Sequence, residues 1–198
     1  MRGRFVSKGE TPASNANLAN VITVVRILLA PLFIALLLMD GSADGALRYV
    51  AAALFIVAIA TDGVDGAIAR SQNLVTDAGK LLDPIADKVL IGSALVSLSL
   101  LGELPWWVTI VIMVREIGIT VYRFAVLSDR VIPASRGGKL KTIAQSVAIS
   151  LALVPLWDLL GSWVHVLNTG VMSIAVLLTV VTGIDYVVQA VRHNRSPR

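Results

Sequence analysis

The chain has 198 residues, of which 56% are hydrophobic and 15% charged, with a mean hydropathy of +0.80 and a net charge of +4. Soluble domains hold about 45–50% apolar residues even with glycine counted, and a fold this small has too much surface for its volume to hide such an excess. The composition therefore speaks against an ordinary soluble domain and against a disordered chain, and the absence of cysteine excludes disulfides, zinc–thiolate sites and thiol nucleophiles.

Residues 1–14 are polar and are expected to form a mobile tail. Asn15, Asn17 and Asn20 are candidate caps for a first helix. Six apolar stretches follow, at about 21–39, 47–69, 84–102, 105–126, 142–161 and 167–189. Each has the roughly 20 residues that cross a bilayer core as a helix. Gly41 to Gly45, Gly102 with Pro105, and Pro133 to Gly138 break the run between them. The predicted fold class is an all-α integral membrane protein with six transmembrane helices in one domain, 15–192, followed by a short basic tail, 193–198. The rival reading of residues 1–45 is a secretory signal, but its charged region would be unusually long and five more spans follow.

Basic residues fall in alternate loops. Arg2, Arg4 and Lys8 precede the first span. Arg70 and Lys80 flank the 70–83 loop, and Arg130, Arg136, Lys139 and Lys141 lie in 127–141. Arg192, Arg195 and Arg198 end the chain, while the loops near 40–46, 103–104 and 162–166 have no Lys or Arg. The positive-inside rule then places both termini and the 70–83 and 127–141 loops in the cytoplasm.

Ionisable groups inside membrane helices are costly, at about 2.5–3.5 kcal/mol each near the centre. Span two nevertheless ends with Asp62 and Asp65, and span three begins Asp83-Pro84-Ile85-Ala86-Asp87-Lys88. Each Asp pair has the helical spacing that puts it on one face. With a cytoplasmic loop between them, the four carboxylates reach the same end of adjacent helices. Such a cluster must be protonated in part or must bind cations. All-oxygen ligation suits Mg²⁺, Mn²⁺ or Ca²⁺. A pair of such ions clamps a phosphoryl group during in-line displacement. Helix capping is the plain alternative: Asp83 before Pro84 has the form of an N-cap with proline at the first position. It leaves Asp62 and Asp65 unexplained near a helix C-terminus. Gly66 and Gly79 offer close backbone approach, and Gly63 and Ala67 permit tight packing.

The string Asp62-x2-Asp65-Gly66-x2-Ala69-Arg70-x8-Gly79-x3-Asp83-x3-Asp87 resembles, at every fixed position, the signature of the CDP-alcohol phosphatidyltransferases. The resemblance implies a dimeric six-helix enzyme of the cell membrane with its active site facing the cytoplasm. It implies transfer of the phosphatidyl group of a CDP-activated lipid to an alcohol, with release of CMP. It implies that Asp62, Asp65, Asp83 and Asp87 bind two Mg²⁺ ions, with Mn²⁺ as a substitute, and that Asp87 is also the catalytic base. Gly66, Ala69, Arg70 and Gly79 would surround the CDP-lipid, with Thr76 beside them.

Arg26, Arg115, Arg123, Lys139 and Lys141 read as a basic pocket for an acceptor phosphate. Headgroup anchoring is the alternative for Lys139 and Lys141, and a structural ion pair for Arg115 and Glu116. Neighbours on a helix diverge by about 100°, which favours other partners for that pair. The pieces Asn20-x2-Thr23-x2-Arg26, Val114-Arg115-Glu116-x3-Thr120 and Gly138-Lys139-x-Lys141-Thr142 are similar to the glycerol-phosphate branch of the family. That likeness adds Asn20 and Thr23 to the CDP-lipid site. It implies CDP-diacylglycerol and glycerol 3-phosphate as substrates. Ala19 stands where the branch often has proline.

Inositol phosphate is the rival acceptor. A UbiA-type prenyltransferase needs a second Asp motif and more spans, and a cation transporter more often shows broken helices in both halves. No nucleic-acid partner is expected. Trp106, Trp107, Trp157 and Trp163 read as an interfacial belt. Tyr122 reads as packing, and His165 and His193 lie away from the acidic cluster. Asp185 either pairs with a basic group of the pocket or caps a neighbouring helix.

Overall fold

The computed structural model describes residues 18–71, 77–126 and 136–195, with side chains for residues 22–61, 82, 84–122 and 137–192. The tail expected at 1–14 lies outside the described residues, as does Thr76; of the tail expected at 193–198, residues 193–195 instead continue α7 and 196–198 lie outside the described residues. The chain forms α1 (Leu18–Asp40), α2 (Ala46–Ser71), α3 (Asp77–Leu100), α4 (Trp106–Val126), α5 (Arg136–Leu153), the one-turn α6 (Trp157–Leu160) and α7 (Trp163–Arg195). No strand occurs among the described residues.

Several helix ends differ from expectation. Asn20 lies inside α1, which begins at Leu18, so it caps nothing. Helix α3 begins at Asp77, so Asp83 and Pro84 are interior to it rather than its cap. The short-range signal of Asp before Pro was real, but the helix reaches a full two turns further back. Pro84 there removes one backbone donor and its ring crowds the carbonyl one turn earlier. Span five was read too long: α5 stops at Leu153, ahead of Pro155, and α6 is a separate turn. Helix α7 starts four residues earlier and ends six later than the apolar stretch 167–189.

Helix α1 packs between α2 and α3, which make few contacts with each other among the described residues, and α7 packs between α4 and α5. Helix α5 also contacts α2 and α3. The core joins Phe33 and Leu37 of α1, Phe55 of α2, Leu95 and Leu98 of α3, Ile112 of α4 and Ile149 of α5. Phe33 and Phe55 meet with ring centroids 5.8 Å apart. Gly92 lets α3 and α4 approach, since a Cβ there would meet the Met113 Cε at 2.7 Å.

The partition of polar and apolar groups is the reverse of a soluble bundle. Leu28, Met39, Val114, Val166 and Leu177 point outward, each more than half exposed, whereas Arg26, Arg48, Glu116, Lys141 and Gln145 are buried. Among the described residues, Ile22–Asp40 and Trp163–Arg192 are long and apolar enough to cross a bilayer, and Ala46–Thr61 is a shorter apolar helix. This exterior suits association with a membrane.

The end of the bundle that carries the α1–α2 and α3–α4 turns is closed by Arg48, whose side chain is fully buried. Its guanidinium donates to Glu103 twice, at 2.6 and 2.5 Å, and to the Ala152 and Leu153 carbonyls at 3.0 Å. It also pairs with Asp44 at 3.3 Å and lies 5.2 Å from the Trp157 ring centroid. The Trp157 indole N–H donates to Asp44 at 2.9 Å and its ring stacks on His165. Trp157 is therefore part of this clamp and not only an interfacial anchor. The turn that presents Asp44 runs through left-handed Gly41, Ser42 and Asp44, a conformation that glycine and aspartate adopt most readily.

Arg48→Ala breaks the clamp at α2, α5, α6 and two turns at once. It should lower the unfolding free energy by about 3 kcal/mol, the scale for removing one partner of a buried ion pair. Thermal unfolding in detergent checks this, with Ser173→Ala on an exposed face of α7 expected to stay within about 0.5 kcal/mol.

Candidate active site

At the opposite end, charged groups from three helices converge. Asp87 and Lys88 lie on α3, Arg115 and Glu116 on α4, and Lys141 on α5. Each is held by the regular helix of an otherwise apolar stretch, so its backbone needs no further support. Glu116 is buried and central. Lys141, also buried, donates to its Oε1, and Arg115 donates to the same oxygen at 3.0 Å. Lys88 reaches its Oε2 at 3.2 Å. One carboxylate thus holds three cations and offsets part of the cost of burying them.

Lys88 also donates to Asp87 Oδ2 at 2.6 Å. Asp87 Oδ1 has no partner among the described side chains, and the carboxylate is about a quarter exposed. Arg115 continues outward to the Thr182 hydroxyl of α7 at 3.2 Å. Gln145 of α5 donates to Thr179 of α7 at 2.8 Å, which ties the last two long helices beside the cluster. Thr23 and Arg26 are both buried, one turn apart on α1.

The expected site residues are distributed as follows. The structure brings Asp87, Arg115 and Lys141 into one network and leaves Lys139 exposed on α5, outside it. Asn20, Asp62, Asp65, Gly66, Ala69, Arg70, Gly79, Asp83 and Arg123 lie on helices, but their side chains are outside the described set. Asp83 and Asp87 are one turn apart on α3, and Asp62 and Asp65 stand in the last ten residues of α2. Among the described residues no three acidic or imidazole groups gather round one point.

Three side chains behave differently from their sequence reading. Arg115 does bond its neighbour Glu116, because its long stem curls back, and it keeps Thr182 as a second partner. Among the described residues Asp185 pairs with neither a basic group nor a helix end; Gln189, one turn on, donates to it at 2.8 Å on an exposed face. Lys88 was given no role by sequence reasoning, although it is a charge one step inside an apolar span. Tyr122 packs edge-on against Tyr186, as a packing residue should.

Asp87 Oδ1 has no partner among the described side chains, and the sequence has no thiol; an oxygen donor of this kind suits a hard divalent cation.

A profile of the CDP-alcohol phosphatidyltransferase family matches residues 16–181, and the chain belongs to that family. It is 52% identical over 177 residues to a Mycobacterium tuberculosis protein described as a probable phosphatidylglycerophosphate synthase, covering 89% of this chain and 83% of that one. It is 38% identical over 190 residues to the CDP-diacylglycerol–glycerol-3-phosphate 3-phosphatidyltransferase of Bacillus subtilis, covering 86% of this chain and 93% of that protein. The protein of the same name from Rickettsia typhi is 36% identical over 177 residues, with 86% and 94% covered.

Glu116→Ala strands three cations in an apolar interior. The expected loss is about 3–5 kcal/mol, read by thermal unfolding in detergent, against less than about 0.5 kcal/mol for exposed Asp185→Asn.

Proposed function

We propose that this chain transfers the phosphatidyl group of CDP-diacylglycerol to glycerol 3-phosphate, giving phosphatidylglycerol phosphate and CMP. The complete Asp signature on α2 and α3 carries the reaction class. The relatives named for the same reaction support the acceptor, over most of both chains. The charge balance of the described cluster agrees: three cations face two carboxylates, which leaves room for an anionic acceptor.

Asp62, Asp65, Asp83 and Asp87 would hold two divalent cations, Mg²⁺ first and Mn²⁺ as substitute. When bound, these supply neutralisation of the pyrophosphate and of the departing phosphate charge. The protein's own groups do the rest. Asp87 takes the proton of the acceptor hydroxyl. The hydroxyl oxygen bonds to the phosphorus that carries the diacylglycerol, and the bond from that phosphorus to the CMP oxygen breaks. Gly66, Ala69, Arg70, Thr76, Gly79, Asn20 and Thr23 surround the CDP-lipid. Arg26, Arg115, Arg123, Lys139 and Lys141 draw the acceptor phosphate in, Lys141 and Arg115 from positions fixed by Glu116. Six spans, cytoplasmic termini, a cytoplasmic active site in the cell membrane and a homodimer complete the reading.

CMP release by purified protein with Mg²⁺ and CDP-diacylglycerol tests it, across glycerol 3-phosphate, inositol phosphate, inositol, serine and no acceptor. Release only with glycerol 3-phosphate is expected. Asp87→Asn should cut turnover by at least about 100-fold, the scale of a lost general base, while CDP-diacylglycerol binding persists. Turnover that survives this change would remove Asp87 from the role of base.

A further inference from the structure

Lys88 stands between two carboxylates. Its ammonium reaches Asp87 on its own helix at 2.6 Å and Glu116 on α4 at 3.2 Å. A free lysine cannot orient a neighbour, because its four-carbon stem samples many rotamers. Here the ammonium is pinned from both sides. Glu116 is in turn fixed by Lys141 of α5 and Arg115 of α4. Two of the three ammonium donors are thereby used. Among the described side chains, Lys88 is Asp87's one link to α4 and α5.

We propose that Lys88 is a positioning residue: it holds Asp87 Oδ2 and so turns Oδ1 toward the acceptor hydroxyl. The inference rests on the reading of Asp87 as base. Lys88 makes no bond to substrate in this role. It converts the rigidity of the Glu116 hub into a fixed direction for a carboxylate that is otherwise about a quarter exposed. Misplacing a reacting group by about 1 Å can cost on the order of 100-fold in rate.

Full-length protein in detergent, with CDP-diacylglycerol and glycerol 3-phosphate as probes, tests this. Lys88→Met should lower kcat by about 10- to 100-fold. The KM of both substrates and the Kd for CDP-diacylglycerol should stay within about twofold, since no substrate contact is lost. Lys88→Arg keeps a cation between the two carboxylates and should regain most of the lost kcat. A general structural role would instead lower the folded fraction, with residual kcat per folded molecule unchanged, and would overturn the proposal. A rise in the glycerol 3-phosphate KM at constant kcat would overturn it too, by making Lys88 an acceptor contact. Should Lys88→Met fail to fold, Lys88→Arg and Lys88→Gln carry the test. The kcat order wild type, Arg, Gln at constant Kd supports positioning, and any other order overturns it. Wild-type protein that releases no CMP with any acceptor overturns the functional reading together with this one. An active wild type with kcat indifferent to Lys88 overturns the positioning role alone.

Discussion

Charge inside an apolar bundle has to be neutralised within the bundle, and Glu116 is where this chain does it. Its two oxygens serve Lys88, Lys141 and Arg115 from three helices. Remove it and Lys141 loses its ion-pair partner while three partly or fully buried cations are left to repel one another. The convergence of α3, α4 and α5 at this end therefore depends on an electrostatic hub and not on apolar packing alone. The same hub sets the spacing of Lys88, Arg115 and Lys141. Fold and chemistry are coupled at one carboxylate.

The opposite end solves the same problem with the signs exchanged. There a single buried guanidinium collects Glu103, Asp44 and two main-chain carbonyls. One clamp joins the α1–α2 turn, the α3–α4 turn and the end of α5; the other joins α3, α4, α5 and, through Arg115, α7. Between the clamps the contacts are mostly aliphatic and aromatic, from Phe33 and Phe55 to Ile149. Apolar contacts fill the middle, and charge fixes the ends in register.

Much of this was legible in the sequence. The reaction class was visible because the motif residues have fixed local spacing, and helical spacing survives into any helical fold. Each of the six apolar stretches lies mostly in a long helix, while the one-turn α6 had no signal of its own. The ends of the helices were less so. Pro84 has the form of a helix start because proline is favoured there, yet α3 begins at Asp77. Pro155 lay within an apolar run and was passed over, though it ends α5. Partnerships between helices were least legible. Nothing local to Arg48 announces Glu103, 55 residues away. Nothing local to Lys88 announces Glu116. Conversely, the pairing of Arg115 with Glu116 was argued against from ideal side-chain directions, and long stems do not obey them.

The early stop of α5 has a geometric consequence. Its 18 residues reach about 27 Å, and the 33 residues of α7 beside it reach about 50 Å. The longer rod outreaches the shorter by roughly 23 Å, about four turns. That surplus length of α7 must find its contacts elsewhere, and α7 packs on α4 and α6 as well.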